Sequence, residues 1–394
     1  MTAFTFEDAT KAGAKARLAL AGPSGSGKTY TALAIATAWG GTIGVIDTER
    51  GSASKYARNP ATGKGLFTFK RLNMTRYDPR DLPKALAAAA DIGCGTVIID
   101  SLSKFWSGEG GMLEQVDSAA KRSFGGNGFA GWKEARPFEA AMIEAMLSYP
   151  GHVIVTMRVK TAYEVVENER GRKTPTKIGL QPEQRQGIEY EFDIVGDLDL
   201  NNSLTISKTR CPELAGRVFL RPGADVAGMI ADWLEDGEPA ATALDYRAVA
   251  LDPASTVDDI RTAGRSARAA GLLGAAVTDH TGEPMSLDQL LRSAIAAAEA
   301  RELITAGQDE PAGAVPADGG GQGSGDGEPG VLGALAVQLA RRIADAAEVG
   351  DDGELSKIQR EIGRAKNGEQ ITPAEYSDLA GKVREARKAL AGAK

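Results

Sequence analysis

The residues with the most specific chemistry are contiguous: Gly22-Pro23-Ser24-Gly25-Ser26-Gly27-Lys28-Thr29. Two glycines five positions apart, followed by Lys and Thr, form the pattern of a loop that wraps phosphate oxygens. Glycines let successive backbone N–H groups turn inward, and a helix starting at the loop adds partial positive charge. Lys28 suits the outer phosphates and the Thr29 hydroxyl suits Mg²⁺. Tyr30 adjoins them as a further ligand-binding candidate. The ligand predicted is a nucleoside triphosphate, ATP with Mg²⁺. A chance Gly-rich turn is the bland alternative. It is disfavoured by the apolar run ARLALAG before the loop and the helical stretch TYTALAIATA after it.

A second acidic position fits the same chemistry. Asp100 ends the apolar run TVIID, where a carboxylate is costly unless it meets a cation or hydrogen-bond donors. The expectation is a Walker-B aspartate that helps hold Mg²⁺; a helix-capping Asp is the alternative. Ser101 and Ser103 follow, and either can cap a turn.

These residues need a scaffold that brings strand ends together. From residue 15 to about 235 short apolar runs alternate with helical stretches: ARLALAG, TIGVIDTE, LFTFKRL, TVIIDSLS and HVIVTMR, with helices over 29–38, 79–91 and 135–147. The alternation predicts an α/β fold with a mostly parallel central sheet flanked by helices. EYEFDIVGDLDL and SLTISKTR then read as a hairpin turning at Asn201–Asn202.

The strand after the first helix ends in Ile46-Asp47-Thr48-Glu49. This stretch resembles the corresponding one of RecA-type recombinases, a P-loop NTPase family. The resemblance implies that Glu49 polarises the attacking water. His152-Val-Ile-Val-Thr156-Met157-Arg158 is similar to the family strand that ends in a γ-phosphate sensor and opens a second DNA-binding loop. The family usually has Gln where Arg158 stands, so sensing the γ-phosphate and binding nucleic acid both stay open for it. Ser207-Lys208-Thr209-Arg210 resembles a basic pair that reaches the neighbouring subunit's ATP. The resemblance implies trans-acting roles for Lys208 and Arg210; an exposed basic strand edge is the alternative. With Gly131-Trp132-Lys133 and Glu189-Tyr-Glu-Phe-Asp193, the stretch from 4 to 235 looks like phage-encoded RecA-like ATPases of the Sak type, linked to single-strand annealing and recombination. Phe6-Glu-Asp-Ala9 is similar to a subunit hook of some relatives, although a Phe packed on its own core explains it as well.

That resemblance implies an ATPase, DNA-stimulated and Mg²⁺-dependent, assembled as a filament or ring on single-stranded DNA with ATP between subunits. Phage or host replication and recombination proteins are further partners it implies. The alternatives are a RecA-fold regulator or motor acting on a protein or duplex DNA, and an annealing module that binds ATP without turnover. Two loops are candidates for DNA. One carries Lys121, Arg122 and Phe124, with Phe129 and Trp132 nearby; stacking on DNA and packing under the next helix compete for Trp132. The other runs from Arg158 to Arg185, with Lys160, Arg170, Arg172, Lys173 and Lys177 as phosphate contacts and a hairpin tip at 170–173.

Composition sets outer limits. Two cysteines, Cys94 and Cys211, and two histidines argue against a disulfide framework, a His-based zinc centre and a Ser-His-Asp triad. No stretch predicts a signal peptide or a membrane span, and a cytoplasmic protein is expected. The net charge of −7 is uneven: 29 basic and 27 acidic side chains up to Glu235, then 17 and 26. The expected organisation is an ATPase domain over 1–235, a small helical module over 236–305, a Gly-rich flexible linker over 306–330 and a helical tail over 331–394. Ser residues ahead of acidic first turns predict caps for the module helices in STVDDIR and MSLDQLL. The acidic tail is expected to compete with DNA for the basic loops.

Overall fold

The computed structural model describes residues 15–123, 128–167, 173–235, 237, 240–306, 339–343, 352–367 and 373–392. The chain forms two compact units, Met1–Pro311 and Ala312–Lys394.

The first unit is built on β1 (Arg17–Gly22), α1 (Lys28–Trp39), β2 (Thr42–Asp47), β3 (Lys70–Asn73), α2 (Asp81–Asp91) and β4 (Cys94–Asp100). There follow α3 (Ser103–Ser107), α4 (Met112–Arg122), α5 (Gly128–Leu147), β5 (His152–Glu167), β6 (Lys173–Pro182), β7 (Ile194–Leu198), β8 (Ser203–Thr209), β9 (Val218–Leu220) and α6 (Ala224–Glu235). The sheet order is β3-β2-β4-β5-β1-β7-β8-β9, with β6 paired to β5. The strands from β3 to β7 in this order pair in parallel; β6, β8 and β9 are antiparallel to their neighbours. The expected α/β fold, a mostly parallel sheet flanked by helices with helices following at the C-terminal end, is what forms.

Alternation along β1 explains the two-faced core. Leu18 and Leu20 point into a cluster with Leu33, Ile35, Val226 and Ile230 from α1 and α6. Ala19 and Ala21 point the other way, into a cluster with Leu82, Leu86, Met142 and Met146 from α2 and α5. A strand covered on both faces has no polar side, and all six positions of β1 are buried.

Some expected elements differ. LFTFKRL forms strand only over Lys70–Asn73. Phe67 is instead a single bridge partner of Ala57 and closes a loop over 57–67. The Asn59 side chain holds that loop, its Oδ1 accepting from the amides of Ala61 and Thr62. The helix expected over 135–147 begins at Gly128 and carries Pro137 within it.

After α6 come α7 (Ala243–Leu251), α8 (Val257–Ala269), the short hairpin β10 (Ala276–Thr278) and β11 (Pro284–Ser286), and α9 (Leu287–Ala306). Thr256, one residue beyond the expected Ser, caps α8 in a reciprocal box with Asp259. The module docks on α2: Thr278 Oγ1 donates to Asp91 Oδ1 at 2.8 Å, and Arg247 Nε donates to the Thr278 carbonyl at 2.7 Å. In the second unit, α10 (Asp352–Asn367) and α11 (Pro373–Gly392) share a core of Leu355, Ile358, Ile362, Leu379 and Val383 with Leu339 and Ile343. The hook at 6–9 and the linker over 307–330 lie outside the described residues.

Candidate nucleotide-binding site

The phosphate loop joins β1 to α1 at the C-terminal edge of the parallel strands. Gly25 and Gly27 have φ of 84° and 85°, a region only glycine adopts without strain. A Cβ on Gly22 would lie 2.6 Å from the Leu198 carbonyl and from Ser26 Oγ. The amides of Gly25 and Gly27 donate to no acceptor among the described residues. Lys28 Nζ curls back over the loop, 2.8 Å from the carbonyls of both Gly22 and Pro23. Burial lowers the Lys28 pKa, against the upward pull of Asp100 and Glu49. Loop amides without an acceptor of their own and a lysine bent back over the loop fit a polyphosphate.

Asp100 ends β4 and is 2 % exposed. Thr29 Oγ1 donates to its Oδ2 at 2.7 Å and Thr156 Oγ1 to its Oδ1 at 2.5 Å. Burial drives the Asp100 pKa upward; the two hydroxyls pull it down and Glu49 and Asp47 add to the rise. A buried carboxylate touching the Thr29 hydroxyl is the donor set a hard divalent cation would take with phosphate oxygens and water. The residues present therefore fit Mg²⁺ as well as ATP. Among the described residues no group of three or more His, Cys, Asp or Glu gathers as a metal cluster, so a cation here would rest on Asp100, the Thr29 hydroxyl and the phosphates.

Glu49 is placed by stitching between β2 and β4. Thr48 N donates to the Asp100 carbonyl at 2.8 Å, and Ser101 N donates to Thr48 Oγ1 at 2.7 Å. Ser101 Oγ then donates to Glu49 Oε1 at 3.1 Å. Arg158 grips the same carboxylate with a fork: Nε to Oε1 at 2.9 Å, and one terminal nitrogen to Oε1 at 2.7 Å and Oε2 at 2.8 Å. Arg158 reaches Glu49 because β5 lies between the strand of the phosphate loop and the strand of Asp100. Lys28, Thr29, Glu49, Asp100 and Arg158 line one cavity of about 570 Å³, with Gly22, Ser24, Gly25 and Gly27.

A second cavity of about 500 Å³ shares Gly25, Gly27 and Tyr56 with the first and is also lined by Tyr30, Asn202, Arg221 and Pro222. Tyr30 stands edge-on to Tyr56 and Phe67, with ring centres 5.9 and 5.3 Å away. Asn202 sits at the β7–β8 turn with φ 60° and Arg221 follows β9 with φ 51°.

A family model described as an AAA domain matches residues 14–216, just over half of the 394 residues. The chain belongs to the AAA domain family. The match takes in the phosphate loop, Glu49, Asp100 and Arg158, so the site described is that of a nucleotide-binding P-loop ATPase of the AAA type. No curated protein matches the chain.

Other candidate residues sit elsewhere on the AAA domain. Lys208 and Arg210 lie at the far end of β1 from the phosphate loop, since β8 runs back beside β7 with Lys208 opposite Val195. Lys208 Nζ donates to the carbonyls of Glu189, Tyr190 and Phe192, and Arg210 pairs with Asp193 at 2.7 Å. Neither approaches the phosphate loop of its own chain.

Lys121 and Arg122 form the last turn of α4 rather than a loop, and Arg122 pairs with Glu134 at 2.5 Å. Trp132 packs against Trp106, ring centres 5.8 Å apart, in a small core with Met112 and Phe138. The expected second loop is a β-hairpin in which Glu167 pairs with Lys173. Lys160 is exposed on β5, and Lys177 pairs with Tyr163 through the backbone. Phe124, Arg170 and Arg172 lie outside the described residues.

Sequence reasoning missed Tyr56, Asn202 and Arg221, which come from three separate connections. It also missed the partnership of Thr156 with Asp100. A threonine inside the apolar run HVIVTM was its only signal.

Proposed function

We propose that this AAA-type ATPase is RecA-like, of the Sak type, and hydrolyses ATP with Mg²⁺ on single-stranded DNA in homologous recombination or strand annealing. The observation that carries the ATPase part is the convergence of Lys28, Thr29, Asp100 and Glu49 on one cavity. Lys28 and the loop amides would bind the phosphates, Thr29 and Asp100 would hold Mg²⁺, and Tyr30 and Tyr56 would flank the base. The bound cation would screen charge as the γ-phosphate leaves. Glu49 would orient the attacking water, since it is the carboxylate that reaches the cavity from the strand beside Asp100.

Arg158 supports the DNA part. It holds Glu49 and opens the β5–β6 hairpin, so a contact on the hairpin and the state of Glu49 share one strand. The hairpin carries Lys160 with Lys173 and Lys177 on its two strands. Assembly as a filament or ring is the part that involves Lys208 and Arg210: lying at the far end of β1, they would serve the ATP of a neighbouring subunit rather than their own.

ATP turnover measured with and without single-stranded DNA tests the proposal. Stimulation supports it. DNA-independent turnover favours a regulator or motor acting on another partner, and binding without turnover favours an annealing module that uses ATP for assembly alone.

A further inference from the structure

Between Arg50 and Tyr77 the chain carries seven Lys and Arg and no Asp or Glu. The protein as a whole has net charge −7, so this run is not an effect of composition. All seven are exposed, and among the described residues none forms an ion pair.

The fold gathers six of them at one border of the sheet. Among the described residues β3 pairs only with β2, so it is the edge strand, and its four residues are all exposed. Arg71 reaches from β3 to the turn after Glu49, its guanidinium 2.5 Å from Ser54 Oγ. Arg50 and Lys55 flank that turn, Lys70 adjoins Arg71, and the loop held by Asn59 carries Arg58 and Lys64. That loop is ordered by its own backbone: Asn59 N donates to the Lys64 carbonyl at 2.7 Å and Arg58 N to the Phe67 carbonyl at 2.6 Å. Arg58 and Lys64 are thus carried on the two limbs of an ordered loop.

One bland explanation is that charge on an edge strand prevents sheet-to-sheet aggregation. One or two lysines suffice for that, whereas six cations without counter-charge repel one another and weaken the compact state. Such an arrangement is expected where a polyanion supplies the missing charge.

We propose that Arg50, Lys55, Arg58, Lys64, Lys70 and Arg71 form a phosphate-backbone surface for single-stranded nucleic acid, separate from the β5–β6 hairpin. It rests on the reading above for the identity of the polymer, and on the charge and its placement for everything else. The surface borders Glu49 on one side, so a strand lying on it passes the mouth of the nucleotide cavity.

The test uses the full chain carrying Lys64→Glu, Lys70→Glu and Arg71→Glu, with fluorescent oligothymidylate as probe. A milder variant, Lys55→Gln with Lys64→Gln and Lys70→Gln, guards against misfolding, and a thermal melt and DNA-free turnover check both. The expected result is at least about 10-fold weaker binding at low salt, with the slope of log affinity against log salt smaller by about 2, as loss of three phosphate contacts requires. Unchanged affinity and slope in both variants overturn the proposal, as does a loss confined to self-association of the chain. If DNA stimulates wild-type turnover but the variants bind normally, only this surface fails. If the variants lose binding while DNA leaves wild-type turnover unchanged, only the DNA-stimulated ATPase reading fails. A wild-type chain that binds no single-stranded DNA ends both.

Discussion

Two arginines sit at opposite ends of the central strands, and they are held in opposite ways. Arg17, at the start of β1, is 7 % exposed, and its guanidinium donates to the carbonyls of Leu147, Tyr149 and Gly151 at 2.5–3.1 Å. Burial lowers its pKa to about 10, offset by Asp193 and Tyr149. Arg158, at the other end, is half-exposed and grips the carboxylate of Glu49 inside a cavity. Carbonyl partners belong to the backbone and cannot be exchanged without unfolding. A carboxylate partner can be traded for a phosphate. The same side chain is therefore a fixture at one edge and a movable contact at the other.

The largest effect expected is at the phosphate loop. Lys28→Ala removes the cation that faces the phosphates, and affinity for ATP is expected to fall about 1000-fold, roughly 4 kcal/mol, by calorimetric titration. Glu49→Gln is expected to bind ATP within about 2-fold of wild type while single-turnover hydrolysis slows about 100-fold or more. Normal hydrolysis by that variant would remove Glu49 from the water-orienting role.

At the opposite edge, Arg17→Met strips donors from several buried carbonyls. Denaturant unfolding is expected to show a loss of about 3 kcal/mol, with no change in nucleotide affinity of the molecules that remain folded. Arg158→Gln should do the reverse. Stability stays within about 0.5 kcal/mol, and DNA-free turnover rises about 3- to 10-fold as Glu49 is released, a change of roughly 1 kcal/mol in barrier. A fall in turnover would mean that Arg158 serves the γ-phosphate directly.

The last effect, present only below neutral pH, is a pH dependence beside Arg17. His152 stacks on Trp39, ring centres 4.5 Å apart, and its Nδ1 accepts from the Ala16 amide at 3.0 Å. Burial, with Lys15 and Arg17, lowers its pKa from 6.5 to about 4. Above pH 6.5 both folded and unfolded forms are neutral and this group adds no pH dependence. As pH falls from 6.5 towards 4 the unfolded chain takes up the proton first, so stability is lost in that window, by up to about 3 kcal/mol. His152→Phe should lack that component of the stability curve.

The contrast between the two edges also governs how much the sequence reveals. The phosphate loop is legible because its function needs contiguous residues with fixed spacing, and Asp100 because a charge at the end of TVIID has no bland partner nearby. Glu49 is legible only beside the family stretch it resembles, since an acidic residue after a strand is common. Thr156, Ser101 and the cavity of Tyr30, Tyr56, Asn202 and Arg221 depend on which strand ends become neighbours. No local pattern states that β5 lies between β1 and β4. The hairpin β10–β11 escaped because strands of three residues leave no periodicity. The basic surface escaped because its cations are spread along a loop and an edge strand, and only the fold makes them dense. Lys121 and Arg122 look like loop residues because glycines follow, yet they close the last turn of α4.

β5 is 16 residues long, and only its first part is clamped between β4 and β1. Beyond Arg158 it continues to Glu167 with β6 as its partner. At about 3.3 Å per residue the free part is an arm of about 30 Å that starts beside the phosphate loop. A tilt of about 5° at Arg158 would swing its end by about 3 Å over that length, the width of one hydrogen bond. A displacement too small to disturb the nucleotide pocket would thus be large enough, at the far end, to make or break a grip.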